Sequence, residues 1–255
     1  MNYRAIVPHG WALLVALALP GPQATAALDV KPLQSLIASG RAPEALKELA
    51  GALERDPDNP RLLYDVGVAA YAAGEYEEAL VALDRAEALG GESLARKAQF
   101  QKGNAEFKLG EATQRSNLEE TISRWRESLR QFTTLLRQSD HPEAKANFEF
   151  VRRRLMDVLL ADAKRNLDDA RRPNAPLAQK LEKLRNAFER YTAAQETDPE
   201  SPEAKAGEQA SRDELADALM KEGTRKSQTT RLVQPRPNEA PIPRPDFKEI
   251  EEGVA

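Results

Sequence analysis

Along most of the chain, apolar residues recur three or four positions apart over stretches of a dozen residues or more, with polar residues between them. That spacing lays one apolar stripe on each of a series of helices and does not match the strict alternation of a half-buried strand. The clearest case is Leu63, Val66, Gly67 and Tyr71, followed by Tyr76, Ala79, Leu80, Leu83 and Ala86. Gly74 stands between the two stripes, where it can take the left-handed turn that ends a helix. Small Gly67 and Ala79 allow the paired helices to approach closely, while Tyr71 and Leu83 fill the space beside them. The motif has a precursor. Gly40, Ala45, Leu49 and Ala52 each lie 34 residues before Gly74, Ala79, Leu83 and Ala86. Asp56-Pro57 closes that earlier unit, and Pro60 sits where a helix begins without needing its missing N–H.

Two further units are stretched. The third opens with Phe100, Gly103, Asn104, Phe107, Leu109 and Gly110, and its second helix is delayed by an insert from Glu111 to about Leu118. Beyond the insert, Ile122, Trp125, Ser128, Leu129, Phe132 and Leu136 restore the stripe, with Ser116-Asn117-Leu118-Glu119 as a capping box. A fourth unit starts at Pro142 with Ala144, Phe148, Val151, Leu155 and Leu159 on a long helix reaching about Arg171. Arg172 to Pro176 break it, and the partner helix carries Leu184, Ala187, Phe188, Tyr191 and Ala194 before Asp198-Pro199. A last helix, from about Pro202 to Lys226, is expected to cap the stack with a more polar outer face.

A 34-residue helix–turn–helix period resembles the tetratricopeptide repeat. The resemblance implies an all-α solenoid of about four helix pairs plus a capping helix over residues 27–226. The concave surface of such a stack is made by the first helix of each pair, where a segment of another protein lies. In this register the surface exposes Arg61, Tyr64, Val68 and Ala72 from the second unit, and Lys97, Phe100, Asn104, Phe107 and Lys108 from the third. Asn104 and Lys108, one turn apart, suit a peptide carboxylate or an exposed backbone. The resemblance does not extend to carboxylate-clamp domains, because Phe100 and Ala146 stand where those have basic residues.

The ends of the chain read differently. Arg4, an apolar run from Trp11 to Leu19, Pro20-Gly21-Pro22 and the small residues Ala24-Thr25-Ala26 have the layout of a signal peptide over residues 1–26, cleaved after Ala26. The apolar run is shorter than the roughly 20 residues a membrane-spanning helix needs, although an uncleaved anchor is the alternative. Residues 227–255 are expected to be a disordered tail, with Pro235, Pro237, Pro241, Pro243 and Pro245 ahead of an acidic end at Glu249, Glu251 and Glu252.

Composition narrows the chemistry. The chain has 41 acidic and 37 basic residues interspersed along it, giving a net charge of −4, so no broad basic field draws in nucleic acid. With no cysteine, disulfides, thiolate metal sites and cysteine nucleophiles are excluded. His141 is the one histidine after the signal segment, and its place before Pro142 gives it a turn role. Gly90-Gly91 lacks the residues of a phosphate loop and reads as an inter-repeat turn. Glu77-Glu78 and Asp168-Asp169 read as solvated helix faces, and Trp125 as core. Arg152-Arg153-Arg154 cannot share one helix face, since consecutive residues point about 100° apart. No catalytic residue, cofactor or metal site is expected, and a carboxylate-based hydrolase is the remote alternative.

Over residues 98–155 the chain also resembles the tetratricopeptide proteins of the bacterial aerotolerance (Bat) operons. The matching residues are Phe100, Gly103 and Asn104, then Thr121, Ile122, Trp125, Ser128 and Leu129, then Ala144, Ala146, Asn147, Phe148, Val151 and Leu155. This implies a periplasmic scaffold assembling an envelope complex with von Willebrand factor A domain proteins and a MoxR-type ATPase. A general adaptor of cell-envelope biogenesis or division is the other reading. Protein partners of the envelope or membrane are expected in either case.

Overall fold

The computed structural model describes residues 30–232. They form nine helices and no strand: α1 Val30–Ala38, α2 Ala42–Leu53, α3 Pro60–Ala73, α4 Tyr76–Leu89, α5 Glu92–Thr113, α6 Leu118–Gln138, α7 Pro142–Ala170, α8 Leu177–Thr197 and α9 Pro202–Leu232. Consecutive helices pack as pairs, α1 with α2 through to α7 with α8, and α9 covers the end of the stack. First helices of successive pairs touch, α3 with α5, α5 with α7 and α7 with α9. Second helices share no comparable contact, so the row bends with the first helices on its inner side.

Local chemistry sets the helix ends. The Asn59 side chain accepts hydrogen bonds from the Arg61 and Leu62 amides at 3.0 and 3.2 Å, occupying donors that the first turn leaves orphaned, and Pro60 needs none. Gly74 ends α3 at φ 87°, a conformation costly for any side chain. His141 caps α7, its Nδ1 accepting from the Ala144 amide at 3.2 Å, which gives it the turn role its position foretold.

The helices meet through four core clusters in succession along the stack, the largest built on Ile122, Trp125, Phe132, Leu135, Val151, Leu155 and Leu159. Close approach is paid for by small residues at defined points. A Cβ on Gly67 would meet Leu83, one on Gly103 would meet the Phe132 ring, and one on Gly207 would meet the Tyr191 ring. Ser128 Oγ donates to the Gly103 carbonyl at 2.6 Å within the third pair, tying α6 to α5.

Three expectations need adjusting. The insert after Gly110 is not a loop throughout, since α5 runs to Thr113 and the break shrinks to 114–117. Its cap is Asn117, accepting from the Glu120 amide at 3.2 Å, one residue later than the Ser116 box. The last helix continues to Leu232, six residues past Lys226, and buries Ala204, Ser211 and Ala218 on its inner face. The signal segment and the tail beyond Leu232 lie outside the described residues. No described helix is long and apolar enough to cross a membrane.

Candidate functional site

All nine residues projected onto the groove lie on α3 and α5, the first helices of the second and third pairs. What the fold leaves available to a ligand differs among them. Arg61 is exposed, whereas Tyr64, Val68 and Lys97 are half-buried. Between Arg61 and Lys97 lies Asp65, which the sequence reading passed over. Burial pushes its carboxyl up to about 6, against the pull of the Arg61 and Lys97 charges. Burial also raises the Tyr64 hydroxyl. This end of the face therefore offers two cations and one carboxylate that is charged at neutral pH at a cost.

The α5 residues are more committed to packing. Phe100 stacks on the His141 ring, with centroids 4.8 Å apart, so it seals the turn into α7. Asn104 accepts a 2.8 Å hydrogen bond from Asn147 Nδ2, which bridges α5 to α7. Phe107 stacks on Trp125 at 5.8 Å and meets Phe150 edge-on at 5.4 Å. Lys108 reaches Glu111 at 2.8 Å and lies over the Phe107 ring. Asn104 and Lys108 are thus occupied by neighbours, and they do not form an open clamp for a peptide carboxylate. Between α5 and α7, Phe107 and Phe150 form an aromatic strip with Lys108 at its edge.

Phe150 and Asn147 belong to the fourth unit, and the long α5 and the insert before α6 displace that unit from the 34-residue spacing, so the repeat period does not locate them. Asp65 had no sequence signal, because its environment depends on α3 facing α5.

The charged clusters elsewhere hold helices together. Asp162 on α7, nearly buried, is bound by Arg165 and by Arg190 of α8 at 2.9 Å, and Arg190 also reaches Glu119 at the start of α6. Glu106, raised by burial, accepts from Arg124 at 3.3 Å. Each of these two buried acids has a basic partner, which is the arrangement of structural ion pairs. Of two cavities of about 430 Å³ between helices, one is lined by Asp162 with Glu119, Glu189 and Arg190, so that acid faces the cavity already paired to an arginine, and neither is lined by Glu106. Among the described residues no group of three or more metal-ligating side chains is arranged to hold an ion. The three consecutive arginines diverge as helix geometry requires: Arg152 faces Asp198, Arg153 is exposed, and Arg154 lies over the Trp125 ring and donates to Gln114 at 3.1 Å.

Paired helices, inward-facing first helices and glycine contacts at repeat positions make the fold a tetratricopeptide-type α-solenoid. Residues 36–100 match the sequence profile of the tetratricopeptide repeat family, spanning the end of α1 to the first half of α5. The rest of the stretched third unit and the whole of the fourth fall beyond the matched residues. No match is found among curated proteins. Among solved structures, the Assembly Chaperone of RpL4 (Acl4) is similar at 18% identity over 86% of this chain and 78% of that one, with a TM-score of 0.29.

Proposed function

We propose that the chain is an exported, non-enzymatic adaptor whose inner face holds a segment of an envelope or membrane protein. The observation that carries this reading is the inner face itself. The row of first helices presents Arg61, Lys97 and Lys108 beside the rings of Tyr64, Phe107 and Phe150, a surface for an extended or helical segment bearing both carboxylates and apolar side chains. Buried acids tied to arginines, as at Asp162 and Glu106, favour a structural use of charge over acid–base chemistry.

On the Bat resemblance, we propose von Willebrand factor A domain proteins and a MoxR-type ATPase as the partners, in the periplasm. A general envelope-biogenesis or division adaptor differs from this in its genomic neighbours, since MoxR and von Willebrand genes beside this one favour the first.

Recovery from crosslinked cells tests the proposal. The chain should bring down an envelope protein that an Arg61→Glu, Lys97→Glu variant does not, and equal recovery by both would overturn it. Phe100 and Lys108 are left unchanged, since their contacts with His141 and Glu111 would confuse loss of binding with loss of structure, and thermal unfolding of the Arg61→Glu, Lys97→Glu variant controls for the pull both residues exert on Asp65. Export has its own test: N-terminal sequencing of the exported protein should begin at Ala27, and retention of Met1 would mean an anchored form.

A further inference from the structure

The apolar core of the stack divides at α5. Leu46 packs against both clusters of a first block, one built on Leu33 and Leu49 and the other on Ala79 and Leu83. Leu160 packs against both clusters of a second block, one built on Trp125 and the other on Leu184. Among the described residues no apolar side chain joins a cluster of the first block to one of the second. α5 stands with the second block, because the Trp125 and Phe132 rings of α6 lie against its Gly110 and Gly103, and Ser128 bonds the Gly103 carbonyl. To the buried clusters of the first block it adds only Ala98.

The seam between α3–α4 and α5 is polar instead. On its outer side Gln99 Nε2 donates to Glu87 at 2.9 Å, and the mostly buried Lys102 ammonium bridges Asp84 at 2.5 Å and Glu87 at 2.9 Å. On its inner side the Gln101 side chain is hydrogen-bonded to the Tyr64 hydroxyl, and Lys97 pulls on the Asp65 carboxyl. The seam is also incompletely satisfied. Gln99 and Gln101 are both over nine-tenths buried, and the Oε1 of each finds no hydrogen-bond partner among the described residues. Left-over acceptors on both sides of one helix mark a junction that another arrangement would satisfy better. Interlocked rings fix a joint, whereas ion pairs that reach the surface contribute little and exchange partners readily.

We propose that this seam is a hinge, with α1–α4 and α5–α9 as its arms and Lys102 as its latch, and that its motion opens and closes the inner face between Arg61 on one arm and Lys97 on the other. What the hinge acts on rests on the inner-face reading above, and the hinge itself does not. Like charges supply the opening force. The Glu106 carboxyl, raised by burial and drawn down by Arg124, is pushed up again by Glu127 and Asp84. Glu127 is held low by Arg130 and Gln131, with Lys102 adding to them. Lys102 therefore stands among carboxylates of α4 and α6 and keeps them from driving the arms apart.

Pulsed electron paramagnetic resonance on the full-length chain tests this, since the cysteine-free sequence takes spin labels only at introduced cysteines. Val81→Cys with Ser123→Cys spans the seam, Ser123→Cys with Arg185→Cys lies within the second arm, and all three positions are exposed. The first pair should give the broader distribution of distances. Lys102→Met keeps the reach of the side chain and removes its charge, so it should shift the first pair to longer distance and leave the second unmoved. Asp84→Asn with Glu87→Gln removes latch and repulsion together and should broaden the first distribution without that shift. Equal widths for the two pairs, a first pair indifferent to Lys102→Met, or a variant that disturbs both pairs alike overturns the hinge. A seam that moves in the labelled chain, while crosslinked cells yield no envelope protein, keeps the hinge and overturns the inner-face reading instead.

Discussion

The indole Nε1 of Trp125 donates a 3.1 Å hydrogen bond to the backbone carbonyl of Phe107, so one side chain of α6 both fills and hydrogen-bonds the surface of α5. Trp125 is completely buried, stacked on the Phe107 ring and covered by Arg154. It joins the core of the third pair to the aromatic strip of the inner face.

Replacing Trp125 by alanine leaves a large cavity and an unpaired position at once, a cost of about 3–5 kcal/mol. Phenylalanine keeps most of the volume and loses the hydrogen bond, a cost of about 1–2 kcal/mol. Because stability in a stack is shared between neighbours, hydrogen exchange in Trp125→Ala should quicken in α5, α6 and α7 ahead of α2 and α3. In protein lacking residues 1–26 Trp125 is the only tryptophan, so blue-shifted native emission moving red on unfolding should report its burial.

Two glycine substitutions should have opposite signs. A Cβ on Gly110 would lie 2.4 Å from Cδ1 and Nε1 of Trp125, so Gly110→Ala has to part α5 from α6 or displace the indole. Overpacking costs about 1–3 kcal/mol, which outweighs the helix-propensity gain of up to about 1 kcal/mol. Gly51 in α2 has open space where its Cβ would go, so Gly51→Ala should stabilise by about 0.5–1 kcal/mol. Chemical denaturation of the two variants checks both signs.

Asp65 predicts a pH dependence. Its folded pKa of about 6 lies above the ordinary 3.8, so between these values the native state holds more of the proton than the unfolded chain does. Stability from this group is therefore present below about pH 4 and is lost as the pH rises through 6. The shift bounds the loss at about 3 kcal/mol, reduced by whatever water reaches the carboxylate. Asp65→Asn should raise the unfolding midpoint at pH 7 and leave it nearly unchanged at pH 4. A variant less stable at both pH values would mean that Asp65 makes a favourable contact in its charged form.

The repeat was legible because its determinants are local and periodic. Gly40, Gly74, Ala45 and Ala79 mark turns and close approaches at fixed spacing, and the structure puts each where the period does. The insert was harder, because residues 111–113 continue α5 as readily as they begin a loop, and the choice of Asn117 over Ser116 as cap depends on where α6 packs. The inner face was legible as a set of positions. Which of them remain available depends on helices far apart in sequence: Asn147 occupies Asn104 from 43 residues away, and the α7 turn brings His141 onto Phe100. No spacing rule within one repeat contains those pairings.

The central claim, that the inner row of first helices is the docking surface, is tested most directly by site-specific photocrosslinking in cells. A photoreactive residue at Lys97, on the inner face, should give a discrete adduct with an envelope protein that Arg61→Glu abolishes. The same residue at Val81, exposed on second helix α4, should give none. Adducts from Val81 alone, or adducts at Lys97 that persist undiminished with Arg61→Glu, would contradict it.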